Sequence, residues 1–106
     1  MAKFEDERMA TAVQYLPDTR QVEIGLDDRS SFLIPVDSLE MLNWTGEDWE
    51  PSKTPSDEEL VDVVVWGGGA SIYFPKIEQV FSVDELIDGI YGRLAWMESL
   101  RVASVA

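Results

Sequence analysis

Neither cysteine nor histidine occurs anywhere in the 106 residues of this chain. Their absence excludes disulfides and removes the usual zinc ligands and the commonest general base. It also excludes every Ser-His or Cys-His nucleophile arrangement. Lysine is scarce as well, occurring only as Lys3, Lys53 and Lys76. We therefore predict that the chain is not an enzyme, with no catalytic residues, no metal and no cofactor; a carboxylate-based hydrolase is the enzyme alternative.

Long apolar runs are absent too. No stretch of about 18 apolar residues is present to cross a membrane, and the N-terminus lacks the apolar segment of a signal peptide. Because the missing cysteines also favour a reducing compartment, we expect a cytoplasmic protein of a bacterium-like cell that contacts no membrane. Hydrophobic residues nevertheless make up 45% of the sequence, which is enough for a folded core and argues against disorder.

Positive charge is in short supply. The chain has 21 acidic and 8 basic residues, and its formal net charge is −13. A charge of this size repels DNA, RNA and anionic lipid, so direct nucleic-acid binding is not expected. A basic protein partner is favoured instead, because opposite fields speed encounter. The alternative is that the charge only keeps the protein soluble.

Alternating apolar residues predict an α+β fold with an antiparallel meander sheet of about five strands, covered by one or two C-terminal helices. Val22, Ile24 and Leu26 share one face of a strand and indicate its buried side. The glycines at 67–69 predict a hairpin turn that needs positive φ rather than a phosphate-binding loop. The predicted strands cover residues 11–16, 21–26, 31–36, 61–66 and 71–74, with 61–66 buried on much of both faces.

Three helices are expected between and after these strands, and Ser56 followed by Glu59 has the spacing of a capping box for a single helical turn. Asp37 or Ser38 can cap a short helix that reaches Leu42 or Trp44. Ser82 opens the main helix, which Gly92 ends, and residues 94–100 form a second short helix. We expect a flexible N-terminus over residues 1–10, one α+β domain over residues 11–100, and a featureless tail over residues 101–106.

The C-terminal half carries a family resemblance. An aromatic-Pro strand end is followed by a V-x-x-L-x-x-G-[aromatic]-G helix and an aromatic-Met pair. In this order the chain resembles the bacterial family catalogued as domain of unknown function 2442, over roughly residues 11–98. The matching positions are Phe74, Pro75, Val83, Leu86, Gly89, Tyr91, Gly92, Trp96 and Met97.

The resemblance implies a small α+β domain in which a meander sheet is covered by helices. Members are often encoded beside a small partner protein in what look like toxin–antitoxin pairs, and no catalytic residues are established for the family. This chain departs from the pattern at residues 27–29, where many members carry a glycine. It also carries a longer acidic loop before the buried strand, and we expect any specialised contact there.

That acidic loop, residues 45–59, is the candidate partner-binding site. Tryptophan beside carboxylates suits an arginine-rich partner, through charge pairing and cation–π contact. The alternative is that the loop tryptophans fold back onto the sheet. We expect the loop to become ordered only on binding, since it is polar and interrupted by proline. The candidate residues are Trp44, Glu47, Asp48, Trp49, Glu50, Asp57, Glu58 and Glu59.

Trp66 and Trp96, in contrast, occupy core-like positions of a strand and a helix, and we expect both to be packed inside. Together these features predict a non-enzymatic interaction protein that binds or neutralises a basic partner, as an antitoxin or an accessory subunit would. One alternative is a nucleic-acid mimic, which requires its acids in an extended stripe. Another is a structural subunit of a larger assembly. The sequence does not fix the oligomeric state.

Overall fold

A computed structural model describes residues 8–105 of the chain. The fold is α+β, with antiparallel sheets and few helices, as predicted. The strands form three separate small sheets, in the orders β1-β2-β3, β4-β5 and β6-β7-β8. The single meander of about five strands is therefore not confirmed. The segment between β3 and β6 forms its own hairpin and a helical turn, and this separates the two three-stranded ladders.

The strands are β1 Ala10–Leu16, β2 Gln21–Leu26, β3 Ser31–Pro35, β4 Leu42–Trp44, β5 Trp49–Pro51, β6 Val64–Trp66, β7 Ser71–Phe74 and β8 Gln79–Ser82. The α-helices are α1 Asp57–Leu60, α2 Val83–Ile87 and α3 Leu94–Val105, and 3₁₀ turns lie at Val36–Ser38 and Gly67–Gly69. Among the described residues, no helix has the length and apolar character needed to span a lipid bilayer.

The first sheet confirms the alternation in the sequence. Val22, Ile24 and Leu26 all point into the core, and the first two are fully buried. The outer-facing Gln14 and Glu23 are paired across the strands, and the Gln14 amide donates to the Glu23 carboxylate at 2.6 Å. This sheet thus has one buried and one solvated face, which is the arrangement that alternating sequences specify.

The predicted helix over residues 37–44 is wrong. A 3₁₀ turn ends at Ser38, and the chain is extended from Leu42 to Trp44. The Asp37 carboxylate, which was expected to cap this helix, accepts two hydrogen bonds from Arg20 instead, at 2.8 and 2.9 Å. Without a capping side chain the helix is not started, and Leu42–Trp44 pairs as a strand.

The capping box predicted at Ser56 is confirmed. The Ser56 hydroxyl accepts from the Glu59 backbone N–H, and the Glu59 carboxylate accepts from the Ser56 N–H. The helical turn that follows extends into Val61, which has helical φ and ψ. For this reason β6 begins at Val64, and not at residue 61 as the sequence predicted.

The third sheet is a meander of β6, β7 and β8, and the sequence did not predict β8. Gly67, Gly68 and Gly69 all have positive φ, which confirms the predicted glycine turn between β6 and β7. Gly69 is also spatially constrained, since a Cβ atom there would lie 2.7 Å from the carbonyl oxygen of Ala10 in β1. Strand β1 therefore passes directly against this turn, and the first and third sheets share one core.

The core contains fifteen buried hydrophobic residues, which come from β1, β2, β3, β7, α1, α2 and the segments that follow β3 and α1. Its largest fully buried side chain is Phe74, which packs edge-on against Phe81 with ring centroids 6.1 Å apart. The buried residues are Ala10, Tyr15, Val22, Ile24, Leu26, Ile34, Val36, Leu39, Met41, Leu60, Val63, Ile72, Phe74, Val83 and Leu86.

The C-terminal helices differ in length from the prediction. Ser82 caps α2 as expected, but the helix ends at Ile87 because Gly89, with φ of +81°, turns the chain before Gly92 is reached. Helix α3 continues past residue 100 to Val105, so most of the predicted featureless tail is helical. Ala106 lies outside the described residues.

The start of the described chain is already fixed to the domain. The guanidinium of Arg8 forms ion pairs with Asp84 at 2.6 Å and with Asp88 at 2.9 Å. Ala10 is buried and opens β1. Residues 8–10 thus contact the domain, while the expected flexibility of residues 1–10 remains a prediction, and residues 1–7 lie outside the described part of the chain.

Candidate functional site

Trp44 and Trp49 face each other across the β4–β5 hairpin, inside the segment that the sequence predicted to bind a partner. They are a directly opposed cross-strand pair, with ring centroids 5.3 Å apart and planes tilted by 56°. Each indole is 56% exposed. The tryptophans therefore pack against each other rather than folding back into the core, and more than half of each side chain remains open to solvent.

A four-residue loop connects the two strands and is ordered by its own hydrogen bonds. The Thr45 backbone N–H donates to the carbonyl of Asp48 at 2.9 Å, and the Thr45 hydroxyl accepts from the Asp48 N–H at 3.2 Å. Gly46 supplies the positive φ, +101°, that the turn requires. The expectation that residues 45–59 lack structure in the free chain is thus wrong for this hairpin, because a threonine side chain replaces the missing backbone partners.

Three carboxylates lie close to the indole pair in the sequence, on Glu47, Asp48 and Glu50, and all three residues are exposed. The Asp48 carboxylate accepts from the neighbouring Trp49 N–H at 2.8 Å. No lysine or arginine among the described residues forms an ion pair with any of the three. We refer to Trp44, Glu47, Asp48, Trp49 and Glu50 as the hairpin patch.

The three acids of α1 were predicted to belong to the same site, and two of them bond inside the protein. Asp57 accepts a hydrogen bond from the Tyr15 hydroxyl at 2.5 Å and one from Arg20 at 3.4 Å. Glu59 closes the capping box. Glu58 keeps its carboxylate in solvent, while its backbone carbonyl accepts from Lys76 at 3.1 Å. A role of α1 in partner binding remains a prediction.

A polar network around Arg20 was not foreseen from the sequence. The guanidinium donates twice to Asp37, once to the carbonyl of Pro55 at 2.9 Å, and weakly to Asp57. These bonds raise the pKa of Arg20 and lower the pKa of Asp37. Burial, reinforced by the hydrogen bond to Asp57, raises the pKa of Tyr15 to about 12. Each charged group here serves another protein group, so the network stabilises the fold and offers no free nucleophile or base.

An ion pair between Arg93 and Glu40 links the start of α3 to the rest of the domain. Arg93 contacts the Glu40 carboxylate through its side chain at 2.7 Å and its backbone N–H at 2.9 Å, which lowers the pKa of Glu40. Trp96 is half-buried beside them, and its indole N–H donates to the Ser38 carbonyl at 2.7 Å. A Cβ atom on Gly92 would lie 2.5 Å from the Cβ of Glu40. Gly92 and Trp96, two of the positions that match the family pattern, therefore allow the start of α3 to pack closely against the segment from Ser38 to Glu40.

Trp66 does not occupy the core, contrary to the prediction. Its side chain lies on the outer face of β6 and is 54% exposed. The run from Val61 to Trp66 is apolar at almost every position, and such a run does not show by itself which face is buried. In the structure only one face of β6 meets the core, and Val64 and Trp66 point the other way.

A cavity of about 230 Å³ lies between the hairpin and the β7–β8 turn. Its charged side chains are two lysines, Lys53 and Lys76, and two carboxylates, Glu59 and Glu78. The opposite charges balance, and the chain contains no imidazole or thiol to add to them. Within residues 8–105 no group of three or more acidic side chains is placed to hold a metal ion.

Among solved structures, the chain is similar in fold to the crystal structure of a protein of unknown function from Rhodospirillum rubrum ATCC 11170. The match has a TM-score of 0.70 and 24% sequence identity, and it covers 87% of this chain and 99% of that chain. A likeness at this identity shows the fold alone. No protein-family model matches the chain, and no curated protein matches it either.

Proposed function

We propose that this protein is a non-enzymatic interaction domain whose hairpin patch binds a basic protein partner. The observation that carries the proposal is the exposed, mutually packed pair of Trp44 and Trp49 on a hairpin that also carries three exposed carboxylates without an ion pair. Arginine stacks on indole faces and pairs with carboxylates, so one arginine-rich segment can use both kinds of group at once.

The net charge of −13 supports the same partner class. A field of this sign attracts a basic protein over distances of about 8–10 Å at physiological salt, and thereby raises the association rate. The tryptophans then supply the apolar contact that gives an encounter complex a longer lifetime, since Trp and Arg are the commonest energetic centres of interfaces.

The use of the other charged groups supports a binding role over a catalytic one. The arginines Arg8, Arg20 and Arg93 are all paired with carboxylates that hold elements of the fold together. A carboxylate-based enzyme needs two carboxyls in different environments. The unpaired acids of the hairpin patch share one environment, which is water.

Membership of the family of domain of unknown function 2442 belongs to this proposal. It is supported by the positions of Gly89, Gly92 and Trp96, which end α2, admit Glu40 and anchor α3. With it we propose a cytoplasmic protein that acts as an antitoxin or accessory subunit. A nucleic-acid mimic is less well supported. It needs an extended stripe of free carboxylates, and several acids of this chain are already neutralised by arginine.

The experiment is affinity capture from the native host at low salt, followed by association-rate measurements with the captured partner. The test variant carries Glu47→Gln, Asp48→Asn and Glu50→Gln. The control carries Asp18→Asn, Asp27→Asn and Glu98→Gln, which remove the same charge from exposed residues outside the hairpin patch.

We expect a basic partner whose association rate falls as salt rises. The test variant should lower that rate about tenfold at low salt, and the control about twofold or less. Capture of no basic protein, or equal effects of the two variants, would contradict the proposed function.

A further inference from the structure

A second exposed aromatic cluster lies on the outer face of the β6-β7-β8 sheet. Val64, Tyr73 and Val80 are direct cross-strand neighbours in that order, and Trp66 lies on the same face. Trp66 packs against Tyr73 with ring centroids 4.9 Å apart. Val80 is 53% exposed, although Ile72 and Phe74 on the opposite face are fully buried. We call Val64, Trp66, Tyr73 and Val80 the sheet face.

The sheet face is continuous with the hairpin patch. A groove of about 420 Å³ is lined by Leu42 and Trp49 of the hairpin and by Val80 of β8, together with the Arg93–Glu40 ion pair. Its floor is bridged by Gln79, whose side-chain amide donates to the Leu42 carbonyl at 2.9 Å. The aromatic surface thus runs from Trp49 across the groove to Val80, and onward to Trp66.

We infer that the hairpin patch and the sheet face form one docking surface, and that its occupant is a basic amphipathic helix of a partner protein. This inference rests on the proposed function and extends it to a second region and a defined shape of ligand. The aromatic and aliphatic side chains of the surface would contact the apolar side of the helix. Glu47 and Asp48 lie in the loop next to Trp49, and Glu78 lines the groove, so these carboxylates would face the basic side chains of the helix.

Dimensions and charge select this occupant. Neighbouring strands lie about 4.8 Å apart, so three strands present a face about 10 Å across, which matches the diameter of a helix. A second copy of the chain is disfavoured, because two surfaces that each belong to a molecule of charge −13 repel one another. Exposed apolar patches of this kind on small domains mark interaction sites.

The tryptophans provide a direct assay. The probe is a synthetic helical peptide of about 18 residues with leucine along one face and arginine on the other, added to ¹⁵N-labelled protein. Indole N–H signals of Trp44, Trp49 and Trp66 should all shift on titration. The signal of Trp96 should shift much less, because its N–H is already held by the Ser38 carbonyl.

Two further variants test the location of the binding energy. Val80→Lys places a positive charge in the middle of the surface, and Val61→Lys places the same charge on a valine that is similarly exposed, at 59%, but lies at the end of α1. Val80→Lys should weaken peptide binding about tenfold, and Val61→Lys about twofold or less. Thermal unfolding curves of both variants verify that the fold is retained.

The outcomes separate this inference from the proposed function. If only the Trp44 and Trp49 signals move, or if Val80→Lys and Val61→Lys act equally, the sheet face is not part of the site and the hairpin proposal stands. A scrambled peptide of the same composition that shifts Trp66 equally well would also overturn the inference, since no helical face is then recognised.

A Trp66 shift that depends on protein concentration without peptide would identify a second copy as the occupant and overturn it too. If no indole signal moves while capture from the host still depends on the hairpin acids, this inference is wrong and the proposed function survives; if both experiments fail, both are wrong.

Discussion

The region around Arg20 and the region around the hairpin patch use the same kinds of side chain in opposite ways. Tyr15, Asp37 and Asp57 all meet Arg20 or each other, and Tyr15 is buried. In the hairpin patch the aromatic rings meet only each other across the strands, and the acids of the loop remain in water. In the first region the polar groups bond to one another and stabilise the fold. The second leaves them exposed, and this contrast supports the proposed binding surface.

The largest expected effect comes from comparing the two faces of the third sheet. Phe74→Ala should lower the free energy of unfolding by about 3–5 kcal/mol, because it opens a cavity in the core. Trp66→Ala should lower it by less than about 1 kcal/mol, although more atoms are removed, since the indole is mostly exposed. Urea denaturation of both variants measures the difference. Equal losses would mean that Trp66 supports the fold and is not held ready for a partner.

The Arg20 network should show the next largest effect. Arg20→Met should cost about 1–2 kcal/mol of stability, because it removes a two-bond contact to Asp37 and leaves polar groups unpaired. Arg29→Met is the matched control. It also replaces an arginine with positive φ in a hairpin loop, and the Arg29 side chain makes no ion pair within the described residues. Arg29→Met should therefore change stability by less than about 0.5 kcal/mol. If the control is as costly as Arg20→Met, the backbone conformation matters and the network does not.

Acid should destabilise the paired carboxylates. The pKa values of Asp37 and Glu40 are lowered in the folded state by the hydrogen bonds from Arg20 and Arg93. The folded protein therefore binds these protons less tightly than the unfolded chain, whose carboxyls have pKa values of about 4. The stabilisation is fully present above about pH 5, and it is lost as the pH falls through the folded-state values.

The test is the pH dependence of the free energy of unfolding, measured at about 0.5 M salt so that general repulsion is screened. Wild-type protein should lose stability below pH 5 more steeply than a variant with Asp37→Asn and Glu40→Gln. Parallel curves would show that these two carboxylates do not contribute to acid sensitivity.

The smallest effect is expected in the hairpin patch. Trp44 and Trp49 should have a coupling energy of about 0.5–1 kcal/mol in a double-mutant cycle with alanine, which is typical of a solvent-exposed aromatic pair. Both single variants should remain folded, as near-UV circular dichroism and urea denaturation would show. A coupling above about 2 kcal/mol would mean that the pair is a structural element of the domain, which would weaken the contrast with the Arg20 region.

Features that depend on nearest neighbours could be predicted from the sequence. The alternation of Val22, Ile24 and Leu26, the capping box at Ser56 and the glycine turn before β7 were all correct. Each of these follows from the chemistry of a few consecutive residues. The residues of the hairpin patch lie together because they are close in sequence, but their strand pairing was not foreseen and their role in partner binding remains a prediction.

Features that depend on distant residues could not be predicted. Asp57 seemed free to bind a partner because its own partner, Tyr15, lies 42 positions away. Asp37 seemed to be a helix cap because its contact with Arg20 requires the β1–β2 loop to fold back. Trp66 seemed to be buried because an apolar run does not indicate whether one or both faces of a strand are covered. In all three cases tertiary contacts determined the outcome.

The contact between Gln79 of β8 and Leu42 of the hairpin is sensitive to deamidation of the glutamine. The Gln79 amide nitrogen donates to the Leu42 carbonyl, and the Gln79 amide oxygen accepts from the Leu42 N–H at 3.4 Å. Hydrolysis of that amide to a carboxylate removes the donor and sets an anion against the Leu42 carbonyl oxygen, which is an acceptor. Loss of a single ammonia molecule would then weaken the side-chain link between β8 and the hairpin, while every backbone ladder stayed intact.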